Sequence, residues 1–113
     1  LFEVKNYANN VAKFDFNDLC GEPLGSEDYL KLINNINILF IENVPNFSDE
    51  NIDKQDRFIT LIDILYDNEI KLVMSIEKSI ENLSSSRKLS SKFVRTLSRL
   101  NEMKSIEYWD PSI

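Results

Sequence analysis

The apolar residues of this chain change their spacing from segment to segment, and each spacing points to an element. Phe2-Glu3-Val4-Lys5 reads as a short strand, and turn formers follow from Asn6 to Asn10. From Val11 to Phe16 the chain alternates, with Ala12, Phe14 and Phe16 on one side and Val11, Lys13 and Asp15 on the other. A period of two with aromatics is that of a half-buried strand, so residues 2–16 are expected to form a hairpin. Gly21, Pro23 and Gly25 punctuate a loop. Ser26 is placed to cap a helix that carries Glu27 and Asp28 in its first turn. Tyr29, Leu30, Leu32, Ile33 and Ile36 supply its apolar face.

Two later runs, Ile38-Leu39-Phe40-Ile41 and Leu72-Val73-Met74-Ser75-Ile76, lack polar alternation. Short unbroken apolar runs are those of strands buried on both faces of a parallel sheet. Asn46 to Asp53 reads as a polar, acidic loop. Between the two runs, Phe58, Leu61, Ile62, Leu65 and Tyr66 recur at spacings of three and four, predicting a helix from Lys54 to Asp67. Strand, helix, strand, helix, strand, with connections long enough for crossovers, predicts parallel pairing. Glu77 to Ser86 is a short helix or loop ending in Ser84-Ser85-Ser86. A last helix is expected from Ser90 to Lys104, with Leu89, Phe93, Leu97, Leu100 and Met103 as its apolar stripe. The expected fold class is α/β: a small, mainly parallel three-stranded β-α-β-α-β unit with an N-terminal hairpin and a C-terminal amphipathic helix. The chain divides into a hairpin region (1–20), the β-α-β-α-β core region (21–83) and a basic C-terminal helix (84–113).

Composition narrows the chemistry. The chain has 113 residues, no histidine, one cysteine (Cys20) and two glycines, Gly21 and Gly25. Histidine-based catalysis and metal binding are therefore excluded within these residues, as is an internal disulfide. No glycine-rich phosphate loop can be built from two glycines, and no metal site is assigned. The lone cysteine, expected to be a buried and inert thiol, points to a reducing cytoplasm. The net charge is −6, but it is unevenly placed. Residues 1–70 hold 14 acids against 5 bases, net −9, and residues 71–113 hold 5 acids against 8 bases, net +3. Such asymmetry points to a partner or to attraction between the two halves.

Three constellations follow. Asp49, Glu50, Asp53 and Asp56 are expected to be a solvated acidic loop, because calcium-loop spacing is absent. Asp15 and Asp18 flank the end of a strand, where capping or a turn is the expected role. On the last helix Lys88, Lys92, Arg95 and Arg99 step by four, three and four into a basic stripe beside the apolar one. That stripe suits phosphate contact, docking on the acidic half or a sister subunit, or plain solvation. The acidic net charge and the lack of interleaved aromatics weigh against nucleic acid. Arg57 is the only arginine in the first 86 residues and stands near a helix start, where the dipole disfavours a cation. A carboxylate or phosphate partner, or a surface ion pair, is expected for it.

Several phrases, taken in order, resemble the ZapE family, the AFG-type AAA+ ATPases of bacteria and mitochondria. They are Phe14-Asp15-Phe16-Asn17-Asp18-Leu19-Cys20, Pro23-Leu24 and Asp28-Tyr29-Leu30. Arg57-Phe58-Ile59-Thr60-Leu61-Ile62-Asp63, Leu65-Tyr66-Asp67 and Lys71-Leu72-Val73-Met74-Ser75 continue the passage. Arg95-Thr96-Leu97-Ser98-Arg99-Leu100, Glu102-Met103, Ser105 and Glu107-Tyr108 resemble its carboxyl-terminal signature. Asp56 and Ile76 depart from the family pattern. The resemblance implies that this chain is about the last third of such an ATPase. The phosphate loop, the magnesium-holding acids and the sensor strand would then lie upstream, with ATP and magnesium as cofactors of the parent protein. It further implies a multimeric protein of the cytoplasm, or peripheral at the inner membrane, serving cell division or the handling of membrane-protein complexes. Partners would be the upstream ATPase region, sister subunits and a division-related protein. Arg57, Arg95 and Arg99 match family positions and are the candidates for nucleotide or intersubunit contact, with Lys88 and Lys92 on the same basic face. The alternatives are a stand-alone binding module that uses the basic helix, and an inactive remnant of a split gene.

Overall fold

In the computed structural model, residues 5–8, 10–76 and 80–104 are described. The elements run β1 (Lys5–Ala8), β2 (Val11–Asp15), α1 (Phe16–Cys20), α2 (Ser26–Ile33), β3 (Ile38–Val44), α3 (Ile52–Asp67), β4 (Lys71–Ile76) and α4 (Ser90–Met103). A turn of 3-10 helix, Ile80–Asn82, lies between the last two. The sheet has the order β1-β2-β3-β4. β1 pairs antiparallel with β2, whereas β2, β3 and β4 are mutually parallel. The α/β unit of three parallel strands with an N-terminal hairpin and a C-terminal helix is thus present.

Register explains which residues reach the core. Ala12 lies beside Leu39 and Leu39 beside Leu72, while Phe14 lies beside Ile41 and Ile41 beside Met74. Side chains alternate between faces, so these residues share one face, and the helices cover it. Ala12, Phe14, Leu39 and Ile41 are buried there with Tyr29 of α2, Phe58, Leu61 and Leu65 of α3, and Phe93 of α4. The opposite face carries Val11, Lys13, Ile38, Phe40 and Val73. Ile38 and Phe40 are only half-buried, and Val73 and Ser75 are exposed, so the expectation that both runs are buried on both faces needs correction. Among the described residues the helical layer seals one face alone.

Other boundaries shift for local reasons. Residues read as turn formers, Asn6 to Ala8, lie in β1, and the turn sits at Asn10 with φ 65°. Residues 2–4 of the expected first strand lie outside the described residues. Phe16 does not end β2; it opens α1, because Asp15 is a strong N-cap. The Asp15 carboxylate accepts from Asn17 N at 3.1 Å, and Asp18 Oδ2 accepts from Asp15 N at 3.3 Å, which completes a capping box. Ser26 lies inside α2 and does not cap it. Asp28 reaches back to Gly25 N at 2.9 Å instead.

The segment read as a polar loop hides an anchor. Phe47 is 1% exposed and joins Phe16, Phe58 and Phe93, with ring centroids 5.4–5.7 Å from it. Each such aromatic contact contributes about 0.5–1.5 kcal/mol beyond burial. Phe47 N also donates to Ser84 O at 3.3 Å, so the loop after β3 is tied to the serine-rich joint. Buried Gln55 completes that tie: Nε2 donates to Ser85 Oγ at 2.6 Å, and Oε1 accepts from Ser86 N at 3.0 Å and from Ser86 Oγ at 2.6 Å.

Candidate functional site

Asp15, Asn43 and Ser75 lie at or one residue before the carboxyl ends of the three parallel strands. The carboxyl ends of such strands are where open α/β sheets place their ligands. Asn43 lies there in the left-handed region, with φ 62°. The β3–β4 register shifts between Ile41 and Val44, and this irregularity brings the Asn43 backbone out of the ladder. Its N–H donates to Ser75 Oγ at 2.9 Å, and its Nδ2 donates to Asp15 Oδ1 at 2.7 Å. Asp15 therefore acts twice, capping α1 with one oxygen and holding Asn43 with the other. Beyond them opens a cleft of about 400 Å³ lined by Asn43, Val44, Pro45, Ser75 and Ile76. The neighbouring Glu42 is half-exposed and pairs with Lys13 at 3.5 Å.

The basic stripe of α4 faces α3. Lys92 Nζ lies 3.2 Å from Asp56 Oδ1. Arg95 and Arg99 both reach Asp63, Arg95 at 3.2 Å. Arg99 also stacks on Tyr66, 4.7 Å from the ring centroid, and the Tyr66 hydroxyl donates to Glu102. That hydrogen bond to a carboxylate raises the Tyr66 phenol above its usual range. Preceding the helix, Arg87 binds Asp49 through its backbone N–H at 2.9 Å and its side chain at 2.7 Å. The backbone N–H and then the guanidinium hold the Asp49 carboxyl below its usual value. Lys88 is exposed. The acids at 49, 56 and 63 thus meet the bases of the second half. Attraction between the halves operates within this chain.

Arg57 lies in the second turn of α3, because that helix starts at Ile52 and not at Lys54. Its Nη1 donates to Cys20 O at 2.9 Å, at the end of α1. A cation there answers a carbonyl that the helix leaves unpaired. Arg57 also lines a polar cleft with Gly21, Asp49, Asn51, Asp53 and Lys54. Lys54 Nζ donates to Asn17 Oδ1 at 3.3 Å. Among the described residues, no three Asp, Glu, His or Cys side chains are grouped to hold a metal ion.

Cys20 is fully buried. Burial drives its thiol up to about 12, against smaller lowering effects of Tyr29 and Arg57. Tyr29 donates its hydroxyl to Leu19 O at 2.7 Å, and burial raises it as well. Neither group is poised for chemistry at neutral pH. The structure thus brings Arg95, Arg99 and Lys92 together against α3, and sets Arg57 apart at the end of α1. Asn43 and Ser75 escape a reading of the sequence, because their meeting depends on strand register. The local signal is an asparagine at the end of an apolar run, two residues before Pro45.

A family model described as AFG1-like ATPase matches residues 2–111. An uncharacterized protein of Schizosaccharomyces pombe is 40% identical over 80 residues, which cover 71% of this chain and 18% of that protein. Cell division protein ZapE of Escherichia coli is 32% identical over 100 residues, covering 88% of this chain and 27% of its own length. Lactation elevated protein 1 homolog B of Danio rerio is 28% identical, with 88% and 26% covered. No solved structure matches. The chain spans about a fifth to a quarter of the length of these curated relatives.

Proposed function

This chain belongs to the AFG1-like ATPase family, and from that premise we propose that it is the C-terminal segment of a ZapE-like P-loop ATPase. In this reading it supports ATP hydrolysis by the parent protein and turns over no ATP by itself. The observation that carries it is the constellation Asp15–Asn43–Ser75. A hydrogen-bonded amide is held in a left-handed backbone conformation where the parallel strands end, beside an open cleft. The left-handed backbone at Asn43, which asparagine tolerates, and its two hydrogen bonds together fix the side chain at this end of the sheet.

Phosphate binding needs a cradle of backbone N–H groups and a lysine, and magnesium needs grouped carboxylates. Neither is assembled from the described residues, so no step of hydrolysis is assigned to them. Their contribution is positional: Asn43 presents a fixed edge to the part that holds ATP and magnesium. The α4 ion pairs fix the helix that carries Arg95 and Arg99 for contact with that part or with a sister subunit. The name of the Escherichia coli relative supports a role in cell division. No helix of the described residues is long and apolar enough to cross a membrane, which accords with a cytoplasmic or membrane-peripheral place.

The test uses the longer polypeptide that carries this chain. Asn43→Ala should lower its kcat for ATP at least about tenfold, a change of about 1.4 kcal/mol in the barrier, with an unchanged circular dichroism spectrum. Paired Arg95→Glu and Arg99→Glu changes should reduce its assembly or its ATPase rate. Wild-type values in both experiments contradict the proposal.

A further inference from the structure

Parallel sheets are covered by helices on both faces, and the topology of this one explains why a single face is sealed. β2, β3 and β4 step across the sheet in one direction. Crossovers of one hand then put α2 and α3 on the same side. A helix on the other side needs a strand step in the opposite direction, and the described parallel strands make none. On that open face the register sets Val11 beside Ile38, and Phe40 beside Val73. These four form an apolar strip that steps from β2 to β4. Val11, Ile38 and Phe40 are half-buried, and Val73 is 36% exposed. A lysine borders the strip on each side. Lys13, beside Phe40, pairs with Glu42 at 3.5 Å. Lys71 lies beside Ile38, and among the described residues its ammonium has no partner.

We propose that this face is the docking surface for an amphipathic helix of the longer polypeptide, from outside these 113 residues. The inference rests on the reading of the chain as a segment of a larger ATPase. The matched part is 18% to 27% of the length of the curated relatives, which carry most of their chain beyond it. The apolar stripe of the incoming helix covers Val11, Ile38, Phe40 and Val73 and removes apolar surface from water. An aspartate or glutamate at the border of that stripe meets Lys71. A second copy of this chain fits the face less well. The carboxylates beside the strip are already engaged, Glu42 by Lys13, and Asp15 by Asn43 and the start of α1. A second copy therefore brings Lys71 no free acid.

The test places a photo-reactive ring at the centre of the strip, Phe40→p-benzoylphenylalanine, in the longer polypeptide. Irradiation, digestion and mass spectrometry then identify what lies against position 40. The expected product is a cross-link within one polypeptide, to an apolar residue of a helix outside the 113 residues. The same replacement at Val94, which is 67% exposed on α4, should not give that product. Zero-length carbodiimide coupling should join Lys71 to a carboxylate of the same helix, and Lys71→Arg, which keeps the charge and removes the amine, should abolish that link. A photo-cross-link to another copy, one confined to these 113 residues, or none at all overturns the proposal, as does coupling of Lys71 only elsewhere. Neither readout needs ATP. A polypeptide that forms both links and hydrolyses no ATP contradicts the ATPase reading and leaves the docking surface standing.

Discussion

Asn43 bears a backbone conformation that suits asparagine and glycine and penalises branched side chains. Its side chain also supplies the link to Asp15. Asn43→Gly keeps the conformation and loses the link, so it should cost about 0.5–1.5 kcal/mol. Asn43→Val loses both and should cost roughly 1–3 kcal/mol more. Urea unfolding midpoints at equal m-values check the order, and a valine variant as stable as the glycine one contradicts it. Cys20 makes a prediction in pH. Its folded thiol titrates near 12, above the ordinary 9.0. The unfolded chain therefore loses this proton first as pH rises. Stability is full below about pH 9 and falls between 9 and 12, by up to about 1.4 kcal/mol per unit. Tyr29, also raised by burial, adds to the fall from pH 10 upward. Denaturant titrations at pH 7, 9 and 10.5 should show the decline. At pH 8 iodoacetamide should label the native thiol only as fast as the protein opens.

The pair α3–α4 separates what holds an element from what orients it. Phe93 is buried in the aromatic cluster, and Phe93→Ala should cost about 3–5 kcal/mol. Lys92→Ala removes a half-exposed ion pair and should cost at most about 0.5 kcal/mol. Asp63→Ala should fall between them, near 1–2 kcal/mol, since it strips two arginines and Arg99 is only 23% exposed. Unfolding midpoints of the three variants give the order directly. Equal effects would mean that charge, not apolar contact, docks α4. The apolar stripe of α4 was legible from its spacing alone. The direction of its basic stripe was not, because charge pattern names a face without naming what faces it. Thr96 shows the same limit: it is polar and outside the apolar stripe, yet fully buried. Phe47 was hidden by its polar neighbours, since a loop that plugs the core has no period.

For the whole molecule, alternation and apolar runs carried the element order, and the split of charge into −9 and +3 anticipated how the two halves meet. What they could not carry was juxtaposition. The capping box at Asp15 was legible as a capping role, yet its second bond to Asn43 arises only when β2 lies beside β3. The same holds for Ser75, two strands away in the sequence from Asp15. The missing histidines and glycines acquire their meaning at this scale as well. They leave no glycine-rich phosphate loop within these 113 residues. The central claim is that this chain supports ATP hydrolysis without performing it. Phosphate release from ATP and magnesium should be measured on the purified 113-residue chain and on the longer polypeptide that carries it. The account predicts release by the longer polypeptide and none above buffer by the chain alone. Turnover by the 113 residues themselves would contradict it.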